Sequence, residues 1–369
     1  MKVCCVFNYN PLYRLPIYRA MDKEFDCDFY FGDTVFQPMK SFDPKELKGF
    51  KGYIKAKRIR SFVWHSGISG IFNKNYTHYI IGGNPGLIVT WLILLYAKIT
   101  GKKVFLWTHG IKQDNLSFKE RLMSKLYFKT STGILMYNSY FCKNMTKIGC
   151  KKEKLHIIHN SLDTALQTAL YKTLYPSNIF REHFKNDSPT ILYIGRIQRV
   201  KKTEQILDAM SVLRSRGTDL NLVVIGSNVD DDIFEAKMKE YGLEKRVWMY
   251  GPCFEEEKNA ELIYNASVCV SPGNVGLTCM HALSYGTPVV TNDNFRMQMP
   301  EFEAIIDGKT GSFFHEDNIE DLAENIRRWV MLSDEKRDEC RRIARKTIVD
   351  EWSVDYQIKL LTKLLSLNS

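Results

Sequence analysis

The feature of this sequence with the most capacity for chemistry is a glycine-rich turn that runs straight into a helix. Ser267 to Val290 reads S-V-C-V-S-P-G-N-V-G-L-T-C-M-H-A-L-S-Y-G-T-P-V-V. An apolar strand leads to the turn Ser271-Pro272-Gly273-Asn274. Leu277, Met280, His281 and Leu283-Ser284 then recur at helical spacing, and Gly286-Thr287-Pro288 stops the helix before a second strand. Such a turn presents unpaired backbone N–H groups at the positive end of a helix dipole, which suits an anion. An ordinary strand-to-helix connection uses the same residues with no ligand, so the turn alone leaves both readings open. Arg196, Arg199, Lys201 and Lys202 crowd a second turn, just after Gly195. They form either a solvated basic turn or a set of cations for phosphate. His109 sits between Thr108 and Gly110 at the end of an apolar run, and Tyr13 and Arg14 close the first loop. In α/β folds such positions, at the carboxyl ends of strands, are where ligands bind. His159 precedes a turn and reads as structural.

The elements that must position these residues alternate between strand and helix. Lys2 to Phe7, Cys27 to Phe31, Tyr79 to Ile81, Lys103 to Trp107, Gly133 to Tyr137 and Leu155 to Ile158 read as strands. Leu87 to Ile99 and Lys119 to Phe128 read as helices between them, while residues 33–66 are basic and aromatic without a clean period. Residues 164–188 are polar, lack an apolar period, contain Pro176 and run into Lys185-Asn186-Asp187-Ser188-Pro189, which reads as the interdomain link. The alternation then restarts at Thr190 and runs through the stretch described above to helices at 319–332 and 337–349. The sequence therefore predicts an α/β protein with two doubly wound parallel-sheet domains, 1–180 and 188–350. A final amphipathic helix over 352–369 carries Ile358, Leu361, Leu364 and Leu365 on one stripe.

Bulk composition narrows the class. The 369 residues carry ordinary apolar and charged fractions, which excludes a disordered chain. The nine cysteines are scattered with no C-x-x-C pair, as in a reduced cytoplasmic protein. The longest apolar run is too short to span a bilayer, and the N-terminus does not read as a secretory signal. Neither paired carboxylates nor a histidine cluster has metal-ligand spacing, so no metal site is expected. The charge is uneven: residues 1–185 hold about 29 Lys and Arg against about 12 Asp and Glu, and the rest about 23 against about 30. A basic first half suggests an anionic partner such as lipid headgroups or a pyrophosphate-linked acceptor. Nucleic acid lacks any motif here. A dinucleotide dehydrogenase is excluded because no G-x-G-x-x-G follows the first strand.

The order of motifs resembles the glycosyltransferases of family 4 over nearly the whole chain. Ile191 to Lys202, I-L-Y-I-G-R-I-Q-R-V-K-K, is similar to the family's strand, Gly-Arg and following lysine. L-V-V-I-G at 222–226, R-V-W-M-Y-G at 246–251, the donor turn and helix, and P-E-F-E-A-I-I-D-G-K-T-G-S-F-F at 300–314 match in sequence order. F-L-W-T-H-G and I-I-H-N-S-L-D match weaker patterns in the first half. The resemblance implies a retaining, metal-independent enzyme of the B-type fold, with two Rossmann-like domains facing each other across a cleft. It implies a nucleotide diphospho-sugar as donor substrate and no other cofactor. Within it, Arg196 and Lys201 stabilise the leaving diphosphate with the amides of Gly276, Leu277 and Thr278, and Lys202 shares that role. Gly195, Gly273, Asn274 and His281 complete the donor site, and His109 reaches the donor sugar. The first domain binds a glycan or lipid-linked acceptor of surface-polysaccharide synthesis, with Tyr13 and Arg14 in contact, at the inner face of the cytoplasmic membrane. Lys55 to Trp64 mixes cations and aromatics either as a membrane-surface segment or as a basic loop. One departure stands out. The family's two glutamates, eight positions apart, fall on Gly273 and His281. This keeps open a nucleotide-sugar or glycan-binding relative with weak or no catalysis, and an epimerase of the same fold.

Overall fold

Apolar runs with no alternation become strands buried on both faces, and parallel sheets covered by helices require such strands. The computed structural model describes residues 1–33, 40–112, 115–229 and 232–367. Its contacts divide the chain into two units: Met1–Leu162 with the C-terminal stretch from Ser353, and Asp163–Trp352. In the first unit the strands are β1 (Lys2–Phe7), β2 (Asp26–Gly32), β3 (Phe50–Ile59), β4 (Phe62–Ser66), β5 (His78–Gly82), β6 (Lys103–Thr108), β7 (Gly133–Met136) and β8 (Leu155–Ile157). Their order is β4-β3-β2-β1-β5-β6-β7-β8, parallel except for the β3–β4 hairpin. The second unit holds β9 (Thr190–Ile194), β10 (Asn221–Ile225), β11 (Val247–Met249), β12 (Val268–Ser271), β13 (Val289–Asn292) and β14 (Gly311–Phe314). Their order is β11-β10-β9-β12-β13-β14, parallel throughout. The order reverses at β1/β5 in one sheet and at β9/β12 in the other, and strand ends at such points are where α/β sheets bind ligands.

Two core layers cover the first sheet. Val3, Cys5, Phe29 and Phe31 pack on one side with Leu361, Leu364 and Leu365 of the final helix, Val354–Ser366. Cys4, Val6, Ile81 and Leu106 pack on the other with Ile93 and Phe128. The final helix is tied down by polar bonds as well. Gln357 Nε2 donates to the His159 carbonyl at 3.0 Å, and Ser161 Oγ donates to Gln357 Oε1 at 2.6 Å. Residues 368–369 of the expected helix, and 34–39 of the stretch without a clean period, lie outside the described residues.

Two segments differ from the sequence expectation. Residues 164–188, expected as a link, contain the helices Thr164–Tyr171 and Ile179–Phe184, and residues 163–180 pack in the second unit. Their apolar period is weak because polar bonds hold them. Gln167 donates to Glu256 at 2.9 Å and Ser177 to Glu261 at 3.0 Å. Lys55 to Trp64 is neither a loop nor irregular; it is the body of the β3–β4 hairpin. Ile54 and His65 face the core, at 1% and 3% exposure, yet the outward positions carry Tyr53, Ile59, Phe62 and Trp64. Apolar residues on both faces erase the period of two that would mark a strand.

Candidate functional site

In the second unit the two turns singled out above are docked on each other. Gly226 brings the ends of β9 and β10 close: a Cβ there would lie 1.8 Å from the Gly195 carbonyl oxygen, and its φ is +157°. Tyr193 Oη donates to the Arg196 carbonyl at 2.8 Å and fixes the next bend, which leaves the Arg196 side chain exposed. One turn of tight helix, Arg199–Lys201, then carries Lys201 inward. Its ammonium donates to Asn274 twice, to the carbonyl at 2.7 Å and to Oδ1 at 2.6 Å. Burial pulls the Lys201 pKa down to about 8, with Glu301 opposing and Arg196 adding to the shift. The Gly273 N–H donates to the Lys201 carbonyl at 2.9 Å. A Cβ on Gly273 would lie 2.4 Å from the Val200 oxygen and 2.7 Å from Lys201 Cα, so no side chain fits there.

The turn is clamped from behind. Asn292 Nδ2 donates to the Pro272 carbonyl at 2.6 Å and the Gly273 carbonyl at 3.0 Å, and Thr291 Oγ1 to the Ser271 carbonyl at 2.8 Å. The Val275 N–H donates to Gln298 Oε1 at 2.8 Å. Thr278 Oγ1 donates to the Ile194 carbonyl at 2.7 Å and pins the helix Leu277–Ser284 to β9. The first N–H groups of that helix have no intrahelical acceptor by position, and they carry its positive dipole end. Gly195, Arg196, Lys201, Gly273, Asn274, Gly276, Leu277 and Thr278 thus converge on one rim.

Two candidates depart from it. Lys202, with φ +49°, turns away and pairs with Glu316 at 2.9 Å and Asp317 at 2.7 Å, so its charge is already compensated. His281 lies one helical turn in from the rim. Its Nδ1 is buried without a hydrogen bond and lies 3.7 Å from Glu256 Oε1. Burial holds the ring below its ordinary pKa, against the pull of Glu256, so it is neutral. That carboxylate already accepts from Tyr285 Oη at 2.8 Å and Gln167 Nε2 at 2.9 Å. Sequence reasoning missed Glu256, Gln298 and Glu301. Glu301 lies inside the matched 300–314 segment, but no spacing singled it out.

In the first unit the strand ends of β1, β5 and β6 frame a cavity of about 390 Å³, lined among others by Tyr9, Tyr13, Arg14, Asn84, Trp107 and His109. Gly110, at φ +71°, turns the chain directly after His109, and a Cβ there would meet Met136 Cε at 2.5 Å. The His109 ring lies 4.5 Å from that of Tyr137, and its Nδ1 is buried with no hydrogen-bond partner. Burial first, then Lys112 and Arg14, bring its pKa down to about 3, so it is a neutral imidazole at physiological pH. Arg14 is 7% exposed and sandwiched: its guanidinium carbon lies 4.8 Å from the Trp107 ring centre and 5.2 Å from that of Tyr137. The structure therefore brings Tyr13, Arg14 and His109 to one cavity. His159 is elsewhere. Its Nδ1 lies 3.2 Å from the Tyr137 carbonyl oxygen and burial lowers its pKa to about 4, consistent with a structural residue.

Residues 176–347 match the family described as glycosyl transferases group 1. The chain is 28% identical over 157 residues to D-inositol 3-phosphate glycosyltransferase of Corynebacterium aurimucosum, covering 40% of this chain and 35% of that protein. It is 26% identical over 259 residues to alpha-1,3/1,6-mannosyltransferase ALG2 of Dictyostelium discoideum, covering 59% and 60%. The chain thus spans between about a third and three fifths of the length of these curated relatives. Its fold is similar over the full length to two solved structures. One is the lipopolysaccharide outer core galactosyltransferase WaaB in its apo form, with TM-score 0.71, 16% identity and 99% of each chain. The other is Anabaena HepE in complex with UDP-glucose, with TM-score 0.70, 12% identity, and 99% and 100% of the chains. Residues 176–347 thus match the glycosyl transferases of group 1, and the chain over its full length has the two-sheet B-type fold of these solved glycosyltransferases.

Proposed function

We propose that this protein transfers a sugar, with retention of anomeric configuration, from a UDP-sugar to a glycan acceptor carried on a lipid, in the synthesis of a surface polysaccharide. The observation that carries the reading is the docking of the Arg196–Lys201 turn on the Gly273–Thr278 turn, inside the residues that match the family. As the bond from sugar to diphosphate breaks, negative charge grows on the leaving oxygen. Lys201 and the N–H groups of Gly276, Leu277 and Thr278 are fixed before that charge appears, with Arg196 exposed on the same rim, so they stabilise the transition state more than the ground state. These two cations supply the charge compensation, and the proposal needs no cofactor beyond the donor. Gly195 and Asn274 shape the site, the first by its close approach to β10 and the second by holding Lys201. Neutral His109 offers one N–H donor and one acceptor to sugar hydroxyls. The cavity at Tyr13 and Arg14 takes the acceptor. UDP as the nucleotide is supported by the HepE complex with UDP-glucose, and a lipid-linked glycan by the likeness to WaaB. The basic first half and the outward face of the β3–β4 hairpin support work at the inner face of an anionic membrane.

The test is thermal melting of the purified protein with UDP, GDP and their sugars, followed by release of UDP on adding acceptor. A saturating ligand raises the melting temperature through linkage. The expected result is a shift with UDP that disappears in Arg196→Ala. No shift with any nucleotide would sink the reading. A shift without turnover would favour the second reading, a binding relative, which the loss of both family glutamates supports.

A further inference from the structure

Arg14 is a buried cation with no counter-charge among the described residues. Its polar contacts are two weak ones, to Tyr13 Oη and Tyr18 Oη at 3.4 Å each. The rest of its surroundings are the ring faces of Trp107 and Tyr137. Only Tyr13 and Tyr18 act on its charge among the described residues, and none of the residues lining its cavity is Asp or Glu. Burying an ion without a partner is unfavourable, and aromatic faces offset that only in part. The rings hold the guanidinium plane still, and a guanidinium presents N–H donors in a fork that matches two oxygens of one oxyanion. Beside it, His109 keeps a buried nitrogen without a hydrogen bond, which can complete the shell of a ligand already held by charge.

We propose that Arg14 is the receptor for an oxyanion on the acceptor, a sugar carboxylate or a phosphate, so that the glycan end bound in the first unit is acidic. This rests on the reading of that cavity as the acceptor site. It adds the class of acceptor: a uronic-type sugar or a phosphorylated one, selected over its neutral counterpart. A neutral sugar would leave the guanidinium desolvated and unpaired, and that is the source of discrimination.

The experiment is ligand-observed NMR titration of the full chain with glucuronate, glucose and inorganic phosphate. Wild type is compared with Arg14→Lys and Arg14→Met, and calorimetric UDP binding is measured on each. The expected result is that wild type binds glucuronate, phosphate or both at least about tenfold more tightly than glucose. Arg14→Met abolishes that preference, and Arg14→Lys keeps part of it, since it has the charge without the fork. UDP affinity stays within about twofold in both variants. Preference for glucuronate over phosphate names a sugar acid as the acceptor group, and the reverse names a phosphate. Equal binding of glucose and the anions by wild type overturns the proposal. So does a parallel loss of UDP binding in the variants, which would assign the cation to the donor's diphosphate. If Arg14→Met does not fold, the wild-type comparison and Arg14→Lys still decide. If no protein binds UDP but the anion preference holds, the glycosyltransferase reading fails and the anion site stands.

Discussion

At the scale of single residues, Lys201 would set the pH range of the proposed donor site. Its amine is buried against Asn274 and titrates near 8 instead of above 10. A diphosphate binds the charged form. Above about pH 8 the free protein must first take up a proton, and nucleotide affinity falls. UDP should therefore bind about tenfold more weakly at pH 9 than at pH 6.5, measured by calorimetry, and Lys201→Arg should flatten that decline because its guanidinium stays charged. An affinity that is level from pH 6.5 to 9 in the wild type would place the amine away from the phosphates. Gly273 acts by having no side chain. The backbone of Val200 and Lys201 fills the space where a Cβ would project. Gly273→Ala should push that turn aside, cost about 1–3 kcal/mol of stability, and weaken UDP binding along with it. Gly273→Glu should do the same and restore nothing. If Gly273→Glu melted like wild type and gained turnover, the steric account would be wrong.

At the scale of elements, one carboxylate ties three helices together. Glu256, at the start of the helix Glu256–Asn265, receives Gln167 from Thr164–Tyr171 and Tyr285 from the end of Leu277–Ser284. Neutral His281 beside it avoids a second charge in the same place. Putting the family's carboxylate back, as His281→Glu, sets two acids about one side-chain contact apart, and like charges there destabilise. The expected outcome is a lower melting temperature and a lower pH of maximum stability, since protonating one acid relieves the pair. Glu256→Gln in the same chain should recover most of the loss, a coupling that a double-mutant cycle reads directly. Additive effects would refute the link between the two positions. The pair also shows what a sequence can and cannot disclose. The strands and the two docked turns were legible because β9, β12 and the turns after them carry their pattern in consecutive residues. Lys202 looked equivalent to Lys201 because spacing does not reveal a positive φ, and only the folded chain puts Glu316 and Asp317 within reach. Glu256 and His281 are 25 positions apart, and Arg14 meets Trp107 of β6 and Tyr137 just past β7. No local period encodes such meetings. The β3–β4 hairpin stayed hidden for the opposite reason: its outward face is nearly as apolar as its inward one.

At the scale of the whole molecule, that outward face and the charge imbalance point the same way. No helix among the described residues is long and apolar enough to cross a membrane. The contact with lipid that we propose would be made by a surface, and the hairpin offers one. Tyr53, Ile59, Phe62 and Trp64 are 40–50% exposed, with Lys55 and Lys57 between them. The sequence from Leu47 to Gln113 contains no Asp or Glu at all, so no acid within it repels an anionic surface. Aromatic rings suit the headgroup level, and each lysine near an anionic leaflet contributes about 1 kcal/mol. Sedimentation with vesicles containing phosphatidylserine should therefore capture the protein, and vesicles of phosphatidylcholine alone should not. Replacing Lys55 and Lys57 with glutamine should weaken capture about 30-fold at low salt. Raising the ionic strength should weaken the wild type in the same way, because the screening length falls to about 3 Å at 1 M. Phe62→Ser with Trp64→Ser should weaken it too, but without changing the salt dependence, since insertion of rings is not screened. These four side chains point outward, so the variants should melt like the wild type, and a lost fold cannot imitate the result. Capture that ignores lipid charge would remove the hairpin from the account. Equal, salt-sensitive retention on random DNA would show that the basic half is a general anion surface and not a membrane face.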